Sequence, residues 1–428
     1  MTAIDSLWLP YTQMAVAPAP LPVVGAEGVR IQLADGRTLI DGISSWWTMC
    51  HGYRHPYIMR AVAAQLAALP HVMFAGLVHE PALKLARRLL ALLPSAPGRK
   101  PARVFFSESG SVAVEIALKI AVQYWRNRGE TRQRFIAFHD GYHGDTLGAL
   151  SVSDPASGFH AAMADYRLAH FFAPLPRDEE SAAVFETLLA RHRREIAAVI
   201  VEPRVQGAGG MRFHDDATLG RIRAACDEYG VLLIHDEIMT GFGRTGRLFA
   251  TPEAAAPDIY CLSKALTGGT LPLAATVATE EVFAAFCSPR AEDAFMHGPT
   301  FMANPLACAA ALASLDLFER EPRMMQVAAI EAQLKRELAP CRDLPGVVDV
   351  RALGAIGVVQ LDRPVAAALR PAFLERGVWV RPFGDIVYLA PPFVIEADDL
   401  TRLTTAVCEV VATWSQRSAS TSCPISTP

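Results

Sequence analysis

A lysine and an aspartate, each expected at the end of a buried strand, are the residues in this chain from which amine–carbonyl chemistry could be built. Asp236 opens residues 236–246, DEIMTGFGRTG, directly after the apolar run VLLIH at 231–235. In an open α/β sheet the carboxyl ends of the strands face the ligand crevice, so a carboxylate placed there points at a ligand. The pair Asp236-Glu237 could also serve only to cap the following loop. Lys264 follows a second apolar run, IYCL at 259–262, and enters the turn ALTGG. Most lysines are solvated surface charges. One flanked by Ser263, Ala265 and Leu266 at the exit of a buried strand is partly desolvated, which lowers its pKa and frees its amine to attack a carbonyl.

An Asp and a Lys so placed are the minimum set for pyridoxal 5′-phosphate. The lysine forms a Schiff base with the aldehyde, and the carboxylate keeps the pyridine nitrogen protonated so that the ring accepts electrons. A phosphate site is then needed. Residues 107–112, SESGSV, lie between an expected strand and an expected helix. Backbone N–H groups at Gly110, Ser111 and Val112 could meet an anion at the helix start, although a serine there is also an ordinary N-cap. Residues 140–146, DGYHGDT, offer Tyr142 to stack on the pyridine, with His143 beside it. His139 and His143 stand four apart, but Gly141 between them argues against a helical metal pair. GFGRTG at 241–246 matches a dinucleotide fingerprint and follows a strand. That site needs a helix to open there, and RLFATPEAAAPD does not read as one.

These residues need an α/β frame. Continuous apolar runs at 103–107, 134–138, 197–201, 231–235, 259–262 and 273–278 read as strands buried on both faces of a mostly parallel sheet. Helical stretches at 112–128, 219–228 and 305–318 alternate with them. Residues 28–43 read as a hairpin turning at Asp35-Gly36. Short strands at 347–350, 356–361, 379–381 and 386–389 precede a final helix near 398–414. The expected division is an N-terminal segment 1–55 packed on a small domain, a large cofactor-binding domain 56–320, the small α+β domain 321–414, and a disordered Ser/Thr/Pro-rich tail 415–428.

Composition excludes other classes. The 428 residues are 51% hydrophobic and 20% charged, with 40 Lys and Arg against 44 Asp and Glu. Disorder needs low hydrophobicity and high net charge, and nucleic-acid binding usually needs a basic face. Neither is present. No apolar stretch is long enough for a membrane span. The eight cysteines are scattered without a C-x-x-C pair, which fits thiols in a reducing compartment rather than a zinc site. No secretory pattern opens the chain, so the expected location is the cytoplasm.

In order along the chain, SGS at 109–111, DGYHGDT, EPRVQGAGG at 202–210, DEIMTGFGRTG and SKALTGG at 263–269 resemble the class III pyridoxal-phosphate aminotransferases. The resemblance runs from about residue 7 to 414. It implies an α/β fold of the aspartate-aminotransferase type (fold type I): a large domain with a mostly parallel sheet, a smaller α+β domain, and a homodimer with shared active sites. Further motifs are PYTQM at 10–14, SSWWTMCH at 44–51, GYRHP at 52–56, HVMF at 71–74, HGPTFMANPLAC at 297–308, LGAIGV at 353–358 and RPFG at 381–384. Together they resemble the branch that moves an amino group from S-adenosylmethionine to 8-amino-7-oxononanoate in biotin synthesis. Some relatives of that branch take lysine as donor, which the motifs leave open. They argue against an ω-amino-acid aminotransferase or an aminomutase, and the presence of both Lys264 and Asp236 argues against a non-catalytic binding protein on the same fold.

Carried onto this sequence, the resemblance makes Lys264 the Schiff-base residue and Asp236 the partner of the pyridinium. Gly110 and Ser111 hold the phosphate, completed by Pro299 and Thr300 from the other subunit. Tyr142 stacks on the ring. Trp46, Tyr142, Gly298 and Arg381 line the substrate pocket with Lys264, and Tyr11 closes it. Arg381 suits a carboxylate, which a guanidinium binds as a fork. Trp46 and Trp47 could instead be core, although an extended strand would turn only one of them inward. His235 stands where a small or apolar residue is expected.

Overall fold

The computed structural model describes residues 6–156 and 161–421. Its central sheet has seven strands in the order Pro101–Ser107, Ala274–Thr279, Ile259–Leu262, Leu232–Asp236, Ile196–Val201, Arg134–Phe138 and Phe171–Ala173. The last five are mutually parallel. Ala274–Thr279 runs antiparallel to both of its neighbours. Every residue of the four strands around Leu232–Asp236 is buried, which is why they read as continuous apolar runs.

Side chains alternate between two cores. Ile200, Leu232 and Ile234 pack with the helix Gly110–Asn127. Val199, Val201 and Leu233 pack with the helices Glu179–His192 and Asp216–Tyr229 on the opposite face. That alternation decides which way each residue at the end of the central strand points. The helix beginning at 110 starts two residues earlier than its apolar periodicity suggests. Ser109 caps it, its Oγ accepting from the Val112 N–H at 3.3 Å.

At the N-terminus, Val23–Glu27, Arg30–Leu33 and Thr38–Asp41 form an antiparallel meander. Gly36 supplies its positive-φ turn at +87°. Thr38–Asp41 then pairs in parallel with Val378–Trp379, so one sheet joins the two ends of the chain. A second antiparallel sheet, Val347–Leu353, Ile356–Leu361 and Ile386–Leu389, follows.

The final helix spans Ala397–Thr421. Residues 415–421 are therefore helical, against the expectation of a tail from 415. No Gly or Pro interrupts SQRSAST, and Ser415 Oγ anchors the turn by donating to the Pro345 carbonyl at 2.6 Å. The rest of the expected tail, 422–428, lies outside the described residues. Among the described residues no helix is long and apolar enough to cross a membrane.

Candidate active site

The site sits at the carboxyl end of the central strand. Asp236 has the parity of Leu232 and Ile234 and so faces the helix that begins at Gly110. Its Oδ2 lies 2.8 Å from His143 Nδ1, and its Oδ1 accepts the Ile238 N–H at 3.1 Å. Both side chains are buried. Lys264 opens a 3-10 turn, Lys264–Thr267, directly after the strand Ile259–Leu262 and Ser263. Its φ is +49°, a left-handed conformation that costs a non-glycine residue about 1–2 kcal/mol. Its Nζ stands 4.3 Å over the ring of Trp47. Burial pushes the Lys264 amine down to about 8, against an opposing pull from the carboxylates of Asp236, Glu202 and Asp145. The neutral, nucleophilic form is therefore accessible near neutral pH.

Two other carboxylates have different tasks. Glu202, at the end of the neighbouring strand, is buried and accepts the backbone N–H groups of Tyr142 at 3.0 Å and Gly207 at 2.9 Å. Burial pushes its carboxyl up to about 7. Glu237 turns away from the site and holds the loop through Thr240 Oγ1, Ala250 N–H and Thr251 N–H. His235 has the parity of Leu233. Its Nδ1 pairs with Thr251 Oγ1 at 2.8 Å on the face away from Asp236, so it meets the loop at 250–251 and not the pocket.

The candidate phosphate cradle is the start of the Gly110–Asn127 helix. Its first N–H groups have no partner within the helix. Gly110 packs on Ile238, where an added Cβ would stand 3.0 Å from the side chain, and a Cβ on Gly144 would overlap Ser111. Ser111 Oγ accepts the Asp145 N–H at 3.1 Å. One pocket is lined by Gly110, Ser111, Tyr142, Asp236 and Lys264, with Trp47 on its wall. A buried amine, a clamped carboxylate and small residues at a helix N-terminus together fit pyridoxal phosphate.

The mouth of this pocket is built from the ends of the chain. Ser44, Ser45, Trp46 and Trp47 have φ of 50°, 45°, 60° and 70°: they form a left-handed turn, not an extended strand. This is how two adjacent tryptophans reach different surroundings, Trp47 buried and Trp46 exposed. The turn is held by Asp41, which accepts the N–H groups of Ile43 at 2.8 Å and Ser45 at 2.9 Å and the Tyr53 hydroxyl at 2.7 Å. Ser44 Oγ donates to the Ala390 carbonyl at 2.7 Å. Trp46 meets Tyr11 edge-on at 6.0 Å and lies 4.7 Å beneath the Arg381 guanidinium. The hydroxyls of Tyr11 and Tyr142 both donate to Asp145.

GFGRTG opens no helix; 240–250 is a run of turns. Arg244 within it is buried, bonding the Ala355 and Pro391 carbonyls and Ser44 Oγ. It ties the tryptophan turn to the C-terminal sheet, and a dinucleotide site is not formed.

The expected residues fall into two groups. Lys264, Asp236, Gly110, Ser111 and Tyr142 line one pocket, and Tyr11, Trp46 and Arg381 gather beside it, Tyr11 reaching it through Tyr142 and Asp145. Gly298, Pro299 and Thr300 do not line this pocket. They lie in a loop whose His297 pairs with Lys119 Nζ at 2.9 Å. Sequence reasoning set His143 beside Tyr142 and missed its contact with Asp236, which depends on how the loop after residue 138 folds back. It also missed Glu202, although a lone carboxylate ending an all-apolar strand was the same signal that marked Asp236.

Comparison with known proteins gives consistent results. Residues 11–411 match the model of the aminotransferase class-III family. An adenosylmethionine-8-amino-7-oxononanoate aminotransferase of Mycobacterium leprae is 47% identical, with 95% of this chain and 96% of the relative covered. One of the same name from Corynebacterium glutamicum is 44% identical, covering 94% and 96%. Among solved structures, the Methanocaldococcus jannaschii protein of that name superposes with a TM-score of 0.91 at 33% identity, covering 96% and 97%. A PLP-bound amine transaminase from an uncultivated Pseudomonas species gives 0.88 at 32%, covering 96% and 99%.

Proposed function

Since the chain belongs to the class-III aminotransferase family, we propose that it transfers the amino group of S-adenosylmethionine to 8-amino-7-oxononanoate, forming 7,8-diaminononanoate for biotin synthesis. The carrying observation is the buried Lys264 amine facing Asp236 in one pocket, with Asp236 clamped by His143. The names of the relatives supply the two substrates.

Pyridoxal phosphate, when bound, supplies an aldehyde carbon that takes up the amino group and a ring that withdraws electrons from the reacting carbon. Lys264 Nζ is its attachment point. With the donor bound, the Lys264 amine would serve as the base that moves the proton of the substrate Cα. Asp236 would pair with the pyridine nitrogen of the bound cofactor, and His143 fixes that carboxylate. Gly110 and Ser111 would hold the cofactor's phosphate, and Tyr142 would cover its ring.

The mouth serves both substrates in turn. Arg381 pairs with the carboxylate of each as a bidentate fork. Trp46 and Tyr11 offer faces to the sulfonium of the donor and apolar surface to the chain of the acceptor. Pro299 and Thr300 of the partner subunit complete the phosphate site and Gly298 the substrate pocket in a homodimer. Support for that assembly comes from the exposed apolar side chains on either side of these residues, Met296 at 81% and Phe301 at 54%. The described cysteines are all free, in keeping with a reducing cytoplasm.

The test is product formation. Protein loaded with pyridoxal phosphate is incubated with 8-amino-7-oxononanoate and either S-adenosylmethionine or lysine, and 7,8-diaminononanoate is sought by mass spectrometry. Product with S-adenosylmethionine is expected. Product with lysine alone would overturn the donor, and no product with either would overturn the assignment.

A further inference from the structure

Behind Lys264, on the side away from the pocket, a line of buried polar groups runs from the C-terminal part of the chain to the backbone of the lysine turn. Arg323 Nε lies 3.0 Å from His51 Nδ1. His51 Nε2 lies 3.0 Å from Ser314 Oγ, and Ser314 Oγ lies 3.4 Å from the carbonyl oxygen of Ala265. Arg323, His51 and Ser314 are each buried. Arg323 is anchored in turn by Glu321 at 2.6 Å.

The chemistry of the groups gives this line one direction. A guanidinium only donates, so His51 Nδ1 must accept. The ring proton then resides on Nε2 and is donated to Ser314 Oγ, whose own proton is left for the Ala265 carbonyl. Burial and the neighbouring charges of Arg323 and His55 hold His51 well below its usual pKa, in keeping with the neutral ring that this direction requires. The Ala265 carbonyl also accepts the Gly268 N–H at 2.9 Å and the Cys50 thiol at 3.8 Å. Three parts of the chain, at 50–51, 314 and 323, thus converge on the carbonyl that follows Lys264. That residue has a positive φ, a conformation that persists only when its surroundings impose it.

We infer that Arg323, His51 and Ser314 are positioning residues for Lys264: by fixing the Ala265 carbonyl they hold the left-handed turn that keeps Nζ over the Trp47 ring in the pocket it shares with Asp236. The inference rests on the reading of Lys264 as the lysine that binds the cofactor. None of the three touches the pocket, so their effect is on the direction and proton affinity of the amine. The charged groups facing that amine, Asp236, Glu202 and Asp145, are untouched by their replacement.

The test compares wild type, Ser314→Ala and His51→Gln, the last keeping a side-chain N–H to donate toward Ser314. Each is loaded with pyridoxal phosphate. The visible absorption is titrated with pH, since its midpoint reports the proton on the Lys264 nitrogen. Thermal melting and kcat and KM are measured on the same samples. Ser314→Ala is expected to move the midpoint by about half a pH unit or more and to lower kcat about tenfold, with KM within twofold and melting within a few degrees. His51→Gln is expected to lie between Ser314→Ala and wild type. A Ser314→Ala protein with the midpoint and kcat of wild type would overturn the inference. So would one that melts early yet keeps the wild-type midpoint, because the line would then be structural only. If Ser314→Ala does not fold, His51→Gln is judged by the same midpoint, a shift supporting the inference and none overturning it. A wild-type protein that takes up no pyridoxal phosphate would instead refute the reading of Lys264 itself.

Discussion

The floor and the mouth of the site are built by opposite strategies. The floor, Asp236, Lys264, His143 and Glu202, hangs from strand ends and adjoining loops of one mostly parallel sheet, with Asp236, His143 and Glu202 buried and Lys264 half-buried. The mouth, Tyr11, Trp46, Tyr142, Asp145 and Arg381, is assembled from segments far apart in the chain, with Tyr11 49% and Trp46 38% exposed. The floor carries the charges that the reaction demands of any amine. On the proposed function the mouth carries the groups that tell one substrate from another, and it is held by a strained left-handed turn instead of a sheet. The proposed function then makes reaction type and substrate choice separable in this molecule.

Breaking the floor has the largest effect. Lys264→Ala is expected to lose turnover below detection while folding normally. The sign of the pKa shift makes this variant at least as stable as wild type. An amine held near 8 when folded, against an ordinary 10.5, disfavours folding whenever it is protonated in the unfolded chain. The gain on removing it is full below about pH 8 and fades as pH approaches about 10.5. Thermal melting at pH 7 and pH 10 checks this, and melting well below wild type at pH 7 would contradict it.

Breaking the mouth should touch selection and spare chemistry. Arg381→Ala loses a charged hydrogen bond worth about 1.5–3 kcal/mol, so the KM for 8-amino-7-oxononanoate should rise roughly 10- to 100-fold with kcat changed far less. An unchanged KM would place the carboxylate elsewhere. Tyr11→Phe removes one hydroxyl shared with Asp145 and Tyr142, a loss of about 0.5–1.5 kcal/mol. The expected rise in KM is about two- to tenfold, and a larger fall in kcat than rise in KM would move Tyr11 from the mouth to the floor.

The same division governs what could be read from sequence. Asp236 and Lys264 stood out because each ends or follows a fully buried strand, where a charge is costly without a task. Tyr11, Trp46 and Arg381 carry no such local signal. Only their motifs marked them, since no periodicity places residues 11, 46 and 381 together. The tryptophan pair was read as a strand problem because four consecutive positive φ values in SSWW break every local preference. The clamp from His143 to Asp236 and the line from Arg323 to Ala265 were illegible for one reason. Each depends on tertiary contacts between side chains that are unremarkable in their own segments. The last helix outruns its expected end because a buried Ser415 and the absence of a breaker continue the turn through a polar segment.

The most direct measurement is the visible spectrum of the protein loaded with pyridoxal phosphate, taken alone, after S-adenosylmethionine, and after 8-amino-7-oxononanoate. The account expects a yellow band that bleaches with the donor and returns with the acceptor in wild type, and no such band in Lys264→Ala. A band that forms without Lys264, or that neither substrate alters, would contradict it.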